Sequence, residues 1–584
     1  MKWTVAFGLL LASIGLQAQD VVFRAMQDEL QRSMKKLKLE QLDRPYFISY
    51  RMADIDSKDI SASFGSLLSS SENRGRTLTV EVRVGDYALD NTNFFSMSMG
   101  GTGVARMFGG VVQMPLDDNY DELRRQLWLA TDGAYKKALE DLSGKRAALQ
   151  NKTRTDNIPD FSKEKPLTVS DLSPAAEVDM REAERLTRNL SAVFRQTPPV
   201  EVSHVRLTVA NTLERFISSE GSSFTRRAPL VALTVTASAQ AADGMPVSDF
   251  MAAYGRSIKD LPSEKALSAE IAALGERIGK LRAAPVEDRY NGPVLFEDEA
   301  AAELIAQVFA RQLPAVPGMI TDNPQLERAL AGRGESKLLE KIEARVLPDF
   351  LSVVDNPTAT QAEDHPLLGT YKVDEEGTSA RQTQVVENGV LKTVLTSRAP
   401  VRGVLQSTGN RRPQGVAPGN LFVTSQKASS PEEIRKQFLD MVKRRGKAYG
   451  IVVRRLADPA FRVTGDPFAA MMAAQSGQDE KIAPAILAVR VYTDGHEELI
   501  RNANFSEFSL AGLKDILAVS NTRTVFTAPF AARSASPFPF SPSAAQSLVS
   551  YVVPSILLLD DVGIQKPTGE IPKPPASGHP FFAK

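Results

Sequence analysis

Residues 294–303 read VLFEDEAAAE, in which an apolar run is followed by an acidic cluster and an alanine-rich segment. The cluster consists of Glu297, Asp298, Glu299 and Glu303. Its oxygen atoms could in principle bind a hard cation such as calcium. The same residues suit the start of a helix that continues over residues 300–309, because carboxylates in a first turn face the positive end of the helix dipole. We favour the helix, so this stretch predicts an apolar strand that leads into a helix.

The chain before this stretch combines long helices with alternating strands. Apolar residues at three- and four-residue spacing predict helices over residues 22–37, 117–150, 174–194 and 263–281, the last with Ser263 as N-cap. Alternation of polar and apolar residues predicts strands over 46–52, 60–68, 78–84, 202–210 and 230–237. Residues 151–172 read as a polar connector. We therefore divide this region into an N-terminal α/β domain, residues 19–150, and a middle domain, residues 151–284.

Beyond Pro285 the pattern changes to short strands and turns, which predicts a β-rich C-terminal domain over residues 285–564. One helix interrupts it, with Ser430 as N-cap, Pro431 at the first helical position and Gly446 after its end. Residues 528–547 are dense in Pro, Ser, Phe and Ala and predict an irregular loop. Residues 565–584 form a Pro-rich tail. The predicted fold class is α+β, with long helices in the N-terminal part.

Composition limits the classes of function. Lys plus Arg and Asp plus Glu both number 70 in the 584 residues, so no net field attracts nucleic acid or an anionic membrane. The chain has no cysteine, which excludes disulfides, thiolate zinc sites and cysteine nucleophiles. Lys2, the apolar run over 5–16 and the small Ala18 predict a signal peptide, residues 1–18. We expect an exported protein, periplasmic or secreted, with no membrane span after cleavage.

Local catalytic motifs are few. The four histidines, at 204, 365, 496 and 579, are too far apart in sequence for a local zinc site. HEELI at 496–500 begins like the HExxH of metallopeptidases, but Ile500 stands in place of the second histidine and the flanking residues predict a hairpin turn. GTGVAR at 101–106 starts like a dinucleotide loop but ends in arginine, and predicts a flexible loop. No nucleophile elbow and no Walker loop are present.

A series of short strings is similar to the C-terminal domain of the TldD/PmbA family. In chain order these are DNP at 355–357, GTYKVDEEG at 369–377, ENGVLK at 387–392, STGN at 407–410, APGNL at 417–421 and YTDG at 492–495. EVRVGDY at 81–87 and the SEG turn at 219–221 agree more loosely, and LWLATD at 127–132 resembles the exported branch of the family. The resemblance implies an α/β N-terminal part, a β-rich C-terminal domain and dimers that enclose a cavity where unstructured peptides are cleaved.

The family resemblance also assigns a role to residues 294–302. In the catalytic subunit, a helix after an apolar strand carries HExxxH, in which the histidines hold zinc and the glutamate activates water. Here Glu297 and Ala302 stand at the histidine positions and Asp298 at that of the glutamate. The resemblance therefore implies a PmbA-like chain with a degenerate motif, no zinc of its own and no catalytic residues at these positions.

Three functions remain open at this point. The first is a non-zinc subunit that completes a peptide-degrading or peptide-processing complex and obtains zinc only through an HExxxH-bearing partner. The second is a stand-alone metallopeptidase with an atypical site. The third is a non-enzymatic peptide-binding or scaffold protein. We expect a peptide as ligand, a family partner or a homodimer as assembly, and no nucleic acid.

Overall fold

The computed structural model describes residues 20–96, 111–150, 157–197, 200–323, 325, 327–328, 336–458, 482–506, 508–534, 547–568, 571 and 577–581. The predicted signal peptide, the predicted loop at 101–106 and half of the Pro-rich tail lie outside these ranges. The fold class is α+β, as predicted. Within the described ranges, no helix combines the length and the apolar character that crossing a bilayer requires.

The N-terminal part is built on one large sheet. Its helices are α1 (Val21–Lys36), α2 (Tyr120–Gln150), α3 (Met180–Ala192) and α4 (Glu264–Ala283). Its strands are β1 (Pro45–Ser63), β2 (Ser66–Val84), β3 (Phe94–Phe95), β4 (Val111–Gln113), β5 (Thr168–Leu172), β6 (Val202–Ser218), β7 (Ser223–Gln240) and β8 (Pro246–Gly255). The sheet order is β4-β2-β1-β6-β7-β5, with β8 also paired to β7. The sheet thus joins strands of both predicted segments, 19–150 and 151–284.

The strands β1 and β2 form one long hairpin, which the sequence predicted wrongly as shorter strands over 46–52 and 60–68. The turn falls at Phe64 and Gly65, both at positive φ, in the middle of the second predicted strand. Because β1 contains charged residues, the sequence pattern did not show that it is one continuous strand. Asp54 pairs with arginines of β2 and β6, and Asp59 accepts a hydrogen bond from Arg206 of β6 at 2.7 Å. Cross-strand ion pairs therefore let a polar segment remain in the sheet.

Helices cover the N-terminal sheet in two groups. The buried residues of α1 and α2 pack with Ile48, Tyr50 and Leu78 of the first hairpin. Helices α3 and α4 form a second core with β6 and β7, and Ser263 caps α4 through the Ala266 amide, as predicted. The predicted connector 151–172 was wrong at its end, because Thr168–Leu172 forms strand β5 parallel to β7. As an edge strand, β5 lacks the buried alternation that would reveal it from sequence.

The described C-terminal residues form two large sheets and some two-stranded ones. Its strands are β9 (Arg289–Glu297), β10 (Ile320–Thr321), β11 (Leu351–Asp355), β12 (Gln361–Ala362), β13 (His365–Pro366), β14 (Thr383–Glu387), β15 (Val390–Leu391), β16 (Arg411–Arg412), β17 (Gly415–Val416), β18 (Asn420–Ser425), β19 (Tyr449–Leu456), β20 (Ala485–Tyr492), β21 (Glu497–Ile500), β22 (Asn504–Ser506), β23 (Ile516–Val519), β24 (Arg523–Phe530), β25 (Ser547–Pro554) and β26 (Ile556–Gln565). Its helices are α5 (Glu299–Leu304) and α6 (Pro431–Arg444). One sheet runs β15-β14-β11-β18-β25-β24 and the other β21-β20-β19-β9-β26-β22, with β23 also on β26.

Strand β9 lies inside the second sheet, and its side chains alternate between two cores. Val294 and Phe296 join the large core that also holds α5, whereas Leu295 packs with Ile434 and Phe438 of α6. Because both faces are covered, the strand is apolar throughout its buried length. Helix α6 has the predicted N-cap at Ser430, which forms a capping box with Glu433, and ends before Gly446 at positive φ. The predicted irregular loop 528–547 was wrong at both ends, because residues 528–530 belong to β24 and Ser547 begins β25.

Candidate functional site

The acidic cluster lies where β9 ends and α5 begins. Strand β9 is parallel to β19 on one side and antiparallel to β26 on the other. The turn is made by Asp298, whose φ is 50° and whose amide donates to the carbonyl of Ser555 at 2.6 Å. A positive φ at a residue other than glycine costs energy and is held here by that neighbouring strand connection. The connection therefore has a fixed geometry, with the acids on different sides of it.

Glu297 faces two arginines. Arg454 of β19 donates from Nε to Glu297 Oε2 at 3.3 Å, and Arg435 of α6 places Nη1 3.6 Å from Oε1. Both arginines also pair with Glu497 of β21, with Arg454 Nη2 at 2.9 Å from Oε2. The result is a network of two carboxylates and two guanidinium groups at the end of the sheet. Glu297 is therefore neutralised by cations of the same chain.

The other two positions of the degenerate motif are occupied by Asp298 and Ala302. The Asp298 side chain makes no capping hydrogen bond to the helix that follows it. Ala302 is completely buried in the large C-terminal core, with Ala300 and Ala301 beside it. A methyl group has no lone pair, so position 302 contributes packing and cannot ligate a metal.

Glu299 links the site to the N-terminal sheet through Arg455. The guanidinium donates to Glu299 Oε2 at 2.5 and 2.9 Å, and from Nη1 to Asp249 Oδ1 and the Phe250 carbonyl of β8, both at 2.9 Å. Burial alone would lower the pKa of Arg455, but the charges of Asp249 and Glu299 raise it above its ordinary value. The arginine therefore stays charged and holds the two parts of the chain together at this point.

Glu303 is the buried member of the cluster. Its side chain is 2% exposed, and Oε2 accepts a hydrogen bond from the Leu456 amide at 2.5 Å. Burial raises the pKa of Glu303 well above its ordinary value, against the opposing effect of that amide. The expectation that these acids serve the dipole of one long helix is thus only partly right. Helix α5 ends at Leu304 and continues as a π-helical turn, Ile305–Phe309, and the carboxylates are used in ion pairs and burial instead.

A zinc ion does not fit these residues. Zinc in proteins takes three or four nitrogen, sulfur or oxygen ligands in tetrahedral geometry. Glu297 is committed to two guanidinium groups, Ala302 offers no ligand, and Glu303 is buried with one oxygen already hydrogen-bonded. Across the part of the chain that the structure describes, no group of three or more His, Asp or Glu side chains could hold a metal ion. His496 lies in the predicted hairpin turn, exposed, and its neighbour Glu497 belongs to strand β21.

The arginines and Glu497 were missed from the sequence. A β-bulge between Val453 and Leu456 places the consecutive residues Arg454 and Arg455 beside two different acids of the cluster. In a regular strand, neighbouring side chains point to opposite faces. The spacing of charged residues along β19 therefore does not predict that Arg454 and Arg455 contact acids of the cluster.

Three of the strings quoted above meet in a buried polar network. Asp355 accepts hydrogen bonds from Asn410 Nδ2 at 2.7 Å and from the Gly419 amide at 2.8 Å. Burial raises the pKa of Asp355 to about 7 in spite of these bonds. Asn420 Nδ2 donates to the carbonyls of Asn356 and Ala359 at 3.2 and 2.9 Å. Three strings, at 355–357, 407–410 and 417–421, thus fix one another.

A second network, around Arg398, joins the C-terminal part to the turn between β6 and β7. Arg398 is almost fully buried, and donates to Glu220 Oε2 at 2.6 Å and to the Ser162 carbonyl at 2.6 Å while stacking on Phe161. Glu220 belongs to the predicted turn at 219–221. That turn therefore serves as a contact between the two parts of the chain.

Residues 289–466 match the domain family described as PmbA/TldA metallopeptidase C-terminal domain. By this match, residues 289–466 are similar to a C-terminal domain of PmbA/TldD type. Curated relatives support this assignment: a metalloprotease of Methanocaldococcus jannaschii is 35% identical over 91 residues, and one of Archaeoglobus fulgidus is 32% identical over 84 residues. These matches cover 15% and 14% of this chain, and 19% and 18% of the two relatives. The matched region thus spans less than a fifth of the relatives' own length.

Solved structures of PmbA/TldD type share the fold over most of the chain. A structure described as a modulator of DNA gyrase from Thermotoga maritima aligns with a TM-score of 0.57 and 15% identity, covering 93% of this chain and all of that one. TldE from Thermococcus kodakarensis aligns with a TM-score of 0.55 and 13% identity, covering 92% of this chain and 99% of that one. At this identity the similarity establishes the fold, which agrees with the prediction from the sequence strings.

Proposed function

We propose that this protein is a peptidase-related chain of TldD/PmbA type that holds no zinc at the family motif and completes a peptide-degrading or peptide-processing complex as its non-zinc subunit. One observation carries the proposal. Glu297, at the position of the first motif histidine by resemblance, is paired with Arg454 and Arg435. A divalent cation at this carboxylate would have to displace two guanidinium groups and would be repelled by them.

The proposal draws on the comparisons for its chemistry. The domain that matches residues 289–466 is described as a metallopeptidase domain, and the curated relatives are named metalloproteases. We extend peptide handling to this chain on that basis. We assign hydrolysis to a partner because positions 297, 298 and 302 here carry none of the imidazoles that HExxxH would supply.

The proposed setting follows from the first residues of the chain. The predicted signal peptide, residues 1–18, directs the protein to the periplasm or the medium, where an HExxxH-bearing relative or a second copy of this chain would be its partner. An equal number of acidic and basic residues gives no reason to expect nucleic acid as a ligand.

A reconstitution experiment tests this function. The mature chain, residues 19–584, is incubated with an unstructured peptide and zinc, alone and with an HExxxH-bearing relative from the same source. We expect hydrolysis only in the mixture, at a rate above that of the relative alone. Replacing the motif glutamate of the relative by glutamine is the control and should abolish hydrolysis in the mixture.

Two outcomes would contradict the proposal. Hydrolysis by the isolated chain that is lost on chelation would identify a stand-alone metallopeptidase with an atypical site. Binding of peptides without any gain of hydrolysis with such a relative would identify a scaffold or binding protein.

A further inference from the structure

A narrow cleft lies beside the helix that follows the degenerate motif. Its volume is about 30 Å³, room for a group of one or two heavy atoms. Glu303, Gln307 and Arg311 line one side, at a spacing of four residues along α5, its π-helical continuation and the 3-10 turn at 310–312 that follows. Aromatic side chains of the other sheet, Phe526 and Tyr551 among them, line the opposite side. The cleft is therefore polar along the helix and aromatic along the sheet.

Glu303 has an unused oxygen at this cleft. Oε2 is occupied by the Leu456 amide, whereas Oε1 is buried and has no hydrogen-bond partner among the described residues. A buried acceptor without a partner costs about 1–3 kcal/mol, more if it is charged. Gln307, by contrast, is satisfied, since its amide donates to the Ala457 carbonyl and accepts from the Ala483 amide. Glu303 is thus the group in the cleft that is left to bind a ligand.

We propose that this cleft binds a primary ammonium group, with Glu303 Oε1 as the acceptor. The proposal rests on the proposed function, because the ammonium group would belong to a peptide, either at its N-terminus or on a lysine side chain. The volume accepts an ammonium head and excludes a ring or a phosphate. A carboxylate can accept one of its three N–H donors, and aromatic side chains such as the lining Tyr551 and Phe526 can attract a cation.

The surrounding charges make binding depend on pH. Glu299 and Asp458 raise the pKa of Glu303 beyond the effect of burial, and Arg455 opposes them. Asp458 itself lines the cleft, together with the titratable side chains of Arg311 and Tyr551. A bound cation requires the ionised carboxylate, so binding releases a proton wherever Glu303 is protonated in the free protein. Affinity for an ammonium group should therefore rise with pH up to the pKa of Glu303.

Methylammonium chloride is the probe for this site. We expect a saturable rise in the melting temperature of the mature chain that tetramethylammonium chloride at equal ionic strength does not give, because the larger ion has no N–H donor and exceeds the cleft. In Glu303→Gln, which keeps the shape and the acceptor for Leu456, we expect the dissociation constant for methylammonium to increase ten-fold or more. Glu270→Gln, at an exposed position of α4, is the matched control and should bind as the unchanged protein does.

Two tetrapeptide amides distinguish the sources of the ammonium group. The first has a free N-terminus and no lysine, and the second is N-acetylated and has one lysine. Displacement of methylammonium by either peptide supports the proposal and shows whether the ammonium group is an N-terminus or a lysine side chain. The proposal is overturned if methylammonium and tetramethylammonium act alike, if Glu303→Gln binds methylammonium as tightly as the unchanged chain, or if neither peptide displaces it. The zinc and reconstitution assays do not depend on these results, so they test the proposed function separately.

Discussion

Replacing Arg455 by methionine should destabilise the protein through the site. Arg455 is 12% exposed and makes ion pairs with Asp249, which is 3% exposed, and with Glu299, which is 43% exposed. Removing one partner of a fully buried pair costs about 3–5 kcal/mol, whereas an exposed pair contributes at most about 1 kcal/mol. Asp249 keeps its bond from Arg277 Nε at 2.7 Å, which reduces the penalty. We therefore expect a loss of about 2–3 kcal/mol, with methionine retaining most of the apolar contact.

Thermal and urea unfolding measure this loss. If the affected unit has the size of a domain of about 200 residues, the melting temperature should fall by roughly 5–10 °C. Arg444→Met, at an exposed position of α6, is the matched control and should remain within about 0.5 kcal/mol of the unchanged chain. Glu299→Gln should cost about 1 kcal/mol or less alone and nearly nothing when combined with Arg455→Met. A change of less than 0.5 kcal/mol for Arg455→Met would refute the assigned geometry.

Three further predictions address the rest of the structure. Gly369→Ala would place a Cβ 2.0 Å from a neighbouring backbone carbonyl oxygen, so the free energy of urea unfolding should fall by several kcal/mol. Gly133→Ala is the control in α2: its Cβ meets no atom within 4 Å, and the alanine should stabilise the protein by about 0.5–1 kcal/mol. The raised pKa of Asp355, about 7, means that its native carboxyl binds a proton more tightly than the unfolded one. Stability relative to Asp355→Asn should therefore fall from pH 4 to pH 7 by about 3 kcal/mol, and a flat difference would contradict this. Arg398→Met should lower the free energy of unfolding by about 3 kcal/mol and increase proteolytic cleavage between the two parts of the chain, with the exposed Arg402→Met unchanged in both assays.

Local signals predicted the elements that depend on a few neighbouring residues. Ser263 and Ser430 cap their helices because a hydroxyl three residues before an amide can satisfy it, wherever the helix lies in the fold. The turn at 493–495, with Gly495 at positive φ, was also predicted, because such a turn needs a residue without a Cβ. These features need no knowledge of the tertiary structure.

The remaining features depend on partners distant in sequence. Strand β1 is continuous because β2 and β6 neutralise its aspartates, and β5 exists because β7 pairs with it. At the site, the residue types at 297, 298 and 302 could be read from the sequence, but their environment could not. The β-bulge in β19 brings two arginines to the cluster, and the packing of α5 between the sheets buries Glu303. Neither follows from a local pattern of residues.

The content of zinc in the purified mature chain tests the central claim most directly. After incubation with excess zinc and removal of unbound ion, metal analysis with an HExxxH-bearing relative as positive control should find one zinc per relative and no stoichiometric zinc in this chain. The account would be contradicted if the chain bound one zinc and Glu297→Ala bound none. That result would mean that the Glu297 carboxylate binds the metal instead of Arg454 and Arg435.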